Sequence, residues 1–189
     1  MLFQQRHSLQ NRELRIDLVL TDSFQDLIGE AIDVALRFGK LPDSNLVART
    51  LIESPRMIAA SPAYLEQAGI PKTPADLVNH KIILGPSSAS SVGWTFQKDG
   101  KKTSVRVDSK LMVTVNEGAT AAALAGLGII SASLVGCRSD IESGALVQLL
   151  PEWEIGTVEV HAVLSGGRNA KASSRAFVDY LVKSIRQDS

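Results

Sequence analysis

The chain has 189 residues, 44% of them hydrophobic and 21% charged. That composition excludes a disordered or collagen-like chain and suffices for a buried core in one domain or two small lobes. Lys+Arg and Asp+Glu stand at 20 each, so the chain lacks the basic excess by which a protein grips nucleic acid on its own.

Cys137 is the only cysteine, which excludes an intrachain disulfide and a cysteine-built zinc cage and agrees with a reducing cytoplasm. The opening "MLFQQRHSLQ" has no basic-then-apolar export pattern, so no export is expected. "LRIDLVLTD" (14–22) alternates apolar Leu14, Ile16, Leu18 and Leu20 along one face and predicts a strand. "SFQDLIGEAI" (23–32) places Phe24, Leu27, Ile28 and Ala31 at helical spacing behind Ser23 or Asp22 as cap. "DVALRFG" (33–39) is a short apolar strand, and strand, helix, strand implies a parallel pair with a crossover.

"NLVARTLIESPRMIAAS" (45–61) reads as one long bent strand or a pair of strands around Ser54-Pro55. "SPAYLEQAG" (61–69) is a capped helix: Ser61 accepts from the first turn, Pro62 takes the first helical position and Gly69 closes the end. "TPADLVNH" (73–80) repeats the device with Thr73, Pro74 and Asp76. "KIILG" (81–85) is a strand and "PSSASSVG" (86–93) a polar loop. In "WTFQKDGKKTSVRV" (94–107) Asp-Gly before alternating residues predicts a hairpin, and "DGKKTSVRV" (99–107) within it is the most basic stretch of the chain.

The second half predicts strands over 109–115, 128–134 and 158–165, a segment "SGALVQLLP" (143–151), and a closing amphipathic helix over 171–186 with Phe177, Tyr180, Leu181 and Ile185 on one stripe. Alternating strands and helices predict an α/β architecture. Between them, Ala119 to Cys137 is uncharged and long enough to suggest a membrane span. Its Ala, Gly, Ser and Thr supply little transfer energy, and Gly-Leu-Gly interrupts it. Gly126 and Gly128 lie at the end of the predicted helix rather than its start, and no lysine follows a glycine there. A dinucleotide fingerprint and a phosphate loop are both excluded, and the glycines read as helix-ending punctuation.

The chemically informative end of that helix is its beginning. Asn116 follows a strand and caps a helix, and the small Gly118, Ala119 and Thr120 leave its first amides approachable. Ser61 repeats the geometry, and the loop of Ser87, Ser88, Ser90 and Ser91 adds hydroxyls. Convergence of the three would suit a small anion such as a carboxylate, and each alone is also an ordinary cap or loop. Trp94 is a candidate ring-stacking residue and, by the area it buries, a candidate core residue. His7, His80 and His161 lack metal-ligand spacing, no G-x-S-x-G elbow is present, and Asp76, His80 and Ser61 lack an oxyanion motif. No enzyme activity, cofactor or metal is expected.

"DVALRFGKLPDSNLVARTL", "MIAASPAYLEQAGIPKTPADLVNHKII", "TAAALAGLGII", "IESGALVQLLPEW" and "RAFVDYLV", in this order from about residue 14 to 183, resemble the effector-binding domain of LysR-type transcriptional regulators. The resemblance implies a type 2 periplasmic-binding-protein fold: two α/β lobes, 1–57 with 161–189 and 58–160, joined by two crossing segments around a small-molecule inducer. It implies that a winged helix-turn-helix and a linker helix, absent from this chain, contact DNA. It also implies that the family's first effector-domain strand is lacking, because Met1 falls inside the helix that follows it. Carried over residue by residue, the inducer site comprises Phe38, Gly39, Thr50, Ser61, Ser87, Ser88 and Asn116, with Arg37 as a possible anion partner. Homodimers or tetramers are implied, pairing the edge strand 14–20 with the alanine-helix region, in the cytoplasm and without a membrane. A solute-binding transport protein of the same fold and a dimerising fragment without ligand stay open as alternatives.

Overall fold

The computed structural model describes residues 16–17, 29, 31–39, 41, 47–85 and 93–187. The predicted strand 14–22 and helix 23–32, and hence their parallel crossover, lie almost wholly outside the described residues, as do Ser87 and Ser88.

The chain folds around one long strand. β2 (Val47–Ala60) is 14 residues long, about 46 Å at the usual rise per residue. Its first part pairs antiparallel with β9 (Thr157–Leu164), from Val47 opposite Leu164 to Pro55 opposite Thr157, with a register shift between Thr50 and Ile52. Its last part pairs antiparallel with β7 (Ile129–Ser133) and β8 (Val147–Leu149). β1 (Val34–Phe38) adds to β9 antiparallel, while β3 (Ile82–Leu84) lies parallel to both β7 and β6 (Ser109–Met112). The strand order is β1-β9-β2-β7-β3-β6.

The buried side chains divide along β2. Leu51, Val160, Ala162 and Leu164 pack against Val178, Leu181 and Val182 of α4 (Ala172–Gln187). Of the stripe expected on that helix, Leu181 is fully inward while Phe177 and Ile185 pack at its margin. Farther along β2, alternation sends Met57 and Ala59 to one face with Ile83, Ile130 and Ala123, and Ile58 and Ala60 to the other with Leu84, Ile129 and Phe96. Phe96 belongs to β4 (Gly93–Lys98), which forms the expected hairpin with β5 (Lys101–Arg106) as a separate two-stranded sheet. Trp94, on the same strand, is a core residue.

The local signals on either side of α1 (Pro62–Ala68) hold. Ser61 accepts the Tyr64 N–H at 3.4 Å, Pro62 takes the first position and the Gly69 N–H closes the helix on Leu65. Residues Pro74–Asn79 form a 3₁₀ turn rather than an α-helix. Its ends are closed by three-residue bonds, the Asp76 N–H on the Thr73 carbonyl and the His80 N–H on the Leu77 carbonyl, both at 3.1 Å.

Asp76 accepts N–H bonds from Thr73 at 2.8 Å and Lys72 at 2.9 Å, and these hold its carboxyl below the ordinary aspartate value. A depressed folded pKa adds stability that is full above the unfolded value of about 3.9 and is lost as pH falls through the folded one. Asp76→Asn is therefore expected to lower Tm at pH 7, with a difference from wild type that shrinks in melts taken below about pH 4.

Candidate functional site

Strand direction determines which ends meet. β3 and β7 run parallel from Ile82 and Ile129, so Leu84 and Ser133 finish at one edge of the sheet. β2 runs the other way, which brings Arg56 opposite Ser133 at that same edge. Just beyond it Pro55 stands opposite Thr157, where both crossing strands pass toward the α4-backed sheet.

α2 (Asn116–Leu124) begins at this edge. A Cβ built on Gly85 would stand 3.2 Å from the Asn116 Oδ1 and 3.5 Å from the Ala119 Cβ, so the Asn116 side chain lies over the backbone that leaves β3. Val113 N–H donates to the Leu84 carbonyl at 2.9 Å and fixes the two chain ends together. Asn116 is not itself the cap: Val115 has the extended cap conformation and Asn116 occupies the first helical position. A β-branched residue ends the extended segment there and takes the cap position, and the Asn116 side chain stays packed over Gly85.

Ser54 and Pro55 tie the crossing strand to the segment after β7. The buried Ser54 hydroxyl accepts the Val135 N–H at 3.1 Å, and the Pro55 carbonyl accepts the Leu134 N–H at 2.8 Å. Opposite them, the Arg56 N–H donates to Gly156 at 2.9 Å. The sequence reading missed Ser54, Arg56 and Ser133. The only available signal was a serine and an arginine flanking a proline in the middle of an apolar strand.

On the α4-backed side, Phe38 and Gly39 close β1 toward the crossing. Phe38 is 58% exposed despite its size, and the Gly39 N–H donates to the Glu159 carbonyl at 2.7 Å. One register step deeper, Arg37, His161 and Thr50 stand side by side across β1, β9 and β2. The Thr50 hydroxyl bonds the His161 Nδ1 at 3.1 Å, and the Glu159 carboxylate lies 3.1 Å from its Nε2. Thr50 thus positions a buried histidine in the strand interior rather than at the crossing.

Ser61 lies at the opposite edge of the sheet from Asn116. Ala59 pairs with Ile130 and Ile129 with Ile82, so Ser61 leaves β2 at the edge where β3 and β7 begin. Its hydroxyl is 3.8 Å from where a Cβ on Gly126 would stand, beside the far end of α2. The expected convergence of Ser61 with Asn116 therefore does not occur: the two caps follow strands of opposite direction.

Cys137 is buried in the face beneath α2, and burial pushes its thiol above the ordinary value, against a smaller opposing contribution from the Thr120 hydroxyl 3.9 Å away. It is a packed apolar group rather than a nucleophile. Among the described residues no group of His, Cys, Asp and Glu could hold a metal, and no helix is long and apolar enough to cross a membrane.

The family model described as LysR substrate binding domain matches residues 3–186. An HTH-type transcriptional regulator of Xanthomonas campestris is 34% identical over 181 residues, covering 93% of this chain and 52% of its own. The HTH-type transcriptional regulator CrgA of Neisseria meningitidis is 30% identical over 173 residues, covering 91% and 58%. The chain thus spans about half the length of the curated relatives it matches. The solved CrgA regulatory domain superposes with a TM-score of 0.76 at 30% identity, covering 87% of this chain and 80% of that one. Full-length AphB of Vibrio cholerae, at 24% identity and a TM-score of 0.73, shares the fold.

Proposed function

The chain belongs to the LysR substrate-binding-domain family, with its two-lobed type 2 periplasmic-binding-protein-like fold, and from that premise we propose that it senses a small-molecule inducer held between its lobes. One observation carries the reading: the start of α2, the exit of β3, the Ser133–Gly136 segment and both crossing strands meet at a single edge, with Phe38 and Gly39 facing from the other lobe. The lobes are 1–57 with 161–189 and 58–160; separate side-chain clusters on either side of the crossing support two lobes, while Met57 and Val160, at the boundaries, pack with the neighbouring lobe.

The inducer is a carboxylate or other small anion, contacted by Phe38, Gly39, Asn116, Ser87 and Ser88, with Thr50 holding His161 behind them. Binding favours one arrangement of the lobes over another. A ligand with a tenfold preference for one arrangement shifts the equilibrium by about 1.4 kcal/mol, enough to reset the geometry of DNA-binding arms attached to a dimer or tetramer. The protein acts in the cytoplasm as a regulator rather than as an enzyme, and reaches DNA through a winged-helix segment of the longer protein.

A thermal-unfolding panel of small carboxylates and aromatic acids tests this. An inducer at a hundred times its Kd stabilises by about 2.7 kcal/mol, and Asn116→Leu is expected to abolish that shift in a variant that still melts cooperatively without ligand. A shift of equal size in Asn116→Leu would place the ligand elsewhere.

A further inference from the structure

Arg56 stands where β2 enters the second lobe. Its backbone is fixed by the Gly156 carbonyl and its Cα lies opposite Ser133. By the alternation of β2 its side chain takes the side of Ile58 and Ala60, and cross-strand partners share a face. That face carries Ser133 opposite Arg56 and Ser131 opposite Ile58. The guanidinium is only partly exposed, and burial pulls its pKa below the ordinary arginine value. Among the described residues no carboxylate pairs with it.

A partly buried cation without a counter-charge is costly, and proteins ordinarily supply an acid beside it. The neighbouring hydroxyls have donors to spare. The Ser131 Oγ is buried with no hydrogen-bond partner, and the Ser133 Oγ accepts the Gly136 N–H at 3.2 Å, which leaves its own proton available. A planar guanidinium fork flanked by hydroxyl donors matches an oxyanion. We propose that Arg56, with Ser133 and Ser131, binds the acidic group, carboxylate or phosphate, of the molecule that enters between the lobes. The inference rests on the inducer reading above and assigns the residue that gives it charge selectivity.

The test is thermal unfolding of wild type, Arg56→Met and Arg56→Gln at constant ionic strength. The compounds are benzoate, succinate, inorganic phosphate and the neutral benzamide and glycerol. At least one anion is expected to raise the wild-type Tm, with the shift lost in both variants, and the responding arm tells carboxylate from phosphate. Without added anion, Arg56→Met is expected to melt higher than wild type by roughly 2–4 °C, because it removes an uncompensated charge.

An anion shift retained in the variants overturns the inference. A response to neutral compounds alone overturns it while the cleft reading stands, and no response to any compound overturns both. Should the variants fold poorly, phenylglyoxal labelling of wild type read by peptide mapping decides the matter. The active anion protects Arg56, and unchanged labelling there overturns the assignment.

Discussion

Gly128→Ala is expected to lower stability by about 3 kcal/mol or more, a large share of the roughly 5–15 kcal/mol that holds a domain together. β7 begins beside the entry of β3, with the Ile129 N–H donating to the Lys81 carbonyl at 2.8 Å. A Cβ at position 128 would stand 2.4 Å from that same oxygen and 3.1 Å from its carbon. The obstacle is backbone rather than a flexible side chain, so the two parallel strands must separate and their first ladder bond must lengthen. For a chain of this length the melting temperature is expected to fall by roughly 6–12 °C.

Gly126 supplies the control. It ends α2 in the left-handed region at φ 79°, with bonds from Gly126 to Ala123 and from Leu127 to Ala122, and only the Ser61 hydroxyl and the Tyr64 N approach within 4 Å. Gly126→Ala meets only ordinary van der Waals contacts and is expected to cost only about 1–2 kcal/mol of backbone strain. Urea melts of the two variants separate the cases, and equal midpoints would contradict the close approach of β3 and β7.

Phe96→Ala is expected to cost about 3–5 kcal/mol. The ring is fully buried among Ile58, Leu84 and Ile129 and meets Trp153 edge-on, with centroids 6.5 Å apart and planes at 89°. The hairpin that carries it forms its own two-stranded sheet, and such a pair is marginal without a face to pack on. Its exposed tether, Lys98 to Glu152, contributes little. Loss of the ring therefore loosens the hairpin in addition to the cavity cost, leaving it held by Trp94 and the two backbone bonds between Gln97 and Glu154. The measurement is the urea midpoint together with amide exchange over 93–106. A loss below about 1 kcal/mol would contradict this account of a buried aromatic anchor.

The elements that the sequence announces most plainly are those whose evidence is local. The helix at 62–68 is written in Ser61, Pro62 and Gly69, the hairpin at 93–106 in Asp99-Gly100, and the end of α2 in Gly126. The core position of Trp94 follows from its area alone. What was illegible depends on direction. Ser61 and Asn116 each follow an apolar strand and precede a helix, and nothing within either segment says that one strand runs against the other. Only the antiparallel pairing of β2 with β7 sends Ser61 to the far edge.

The same pairing explains why Arg56 and Ser133 escaped notice. They are 77 residues apart in sequence and become neighbours only through the ladder. The 3₁₀ form of Pro74–Asn79 and the displacement of the cap from Asn116 to Val115 are differences of a single turn, set by where the flanking strands hold the chain.

The central claim, a small molecule held between two lobes, is tested most directly by hydrogen–deuterium exchange with the compound that gives the largest thermal shift. Protection is expected at 38–39 in one lobe, at 113–118 and 131–136 in the other and at 157–159 on the crossing strand between them, and not around Ser61 and Gly126. Protection confined to one lobe, or appearing at the Ser61 edge, would contradict it.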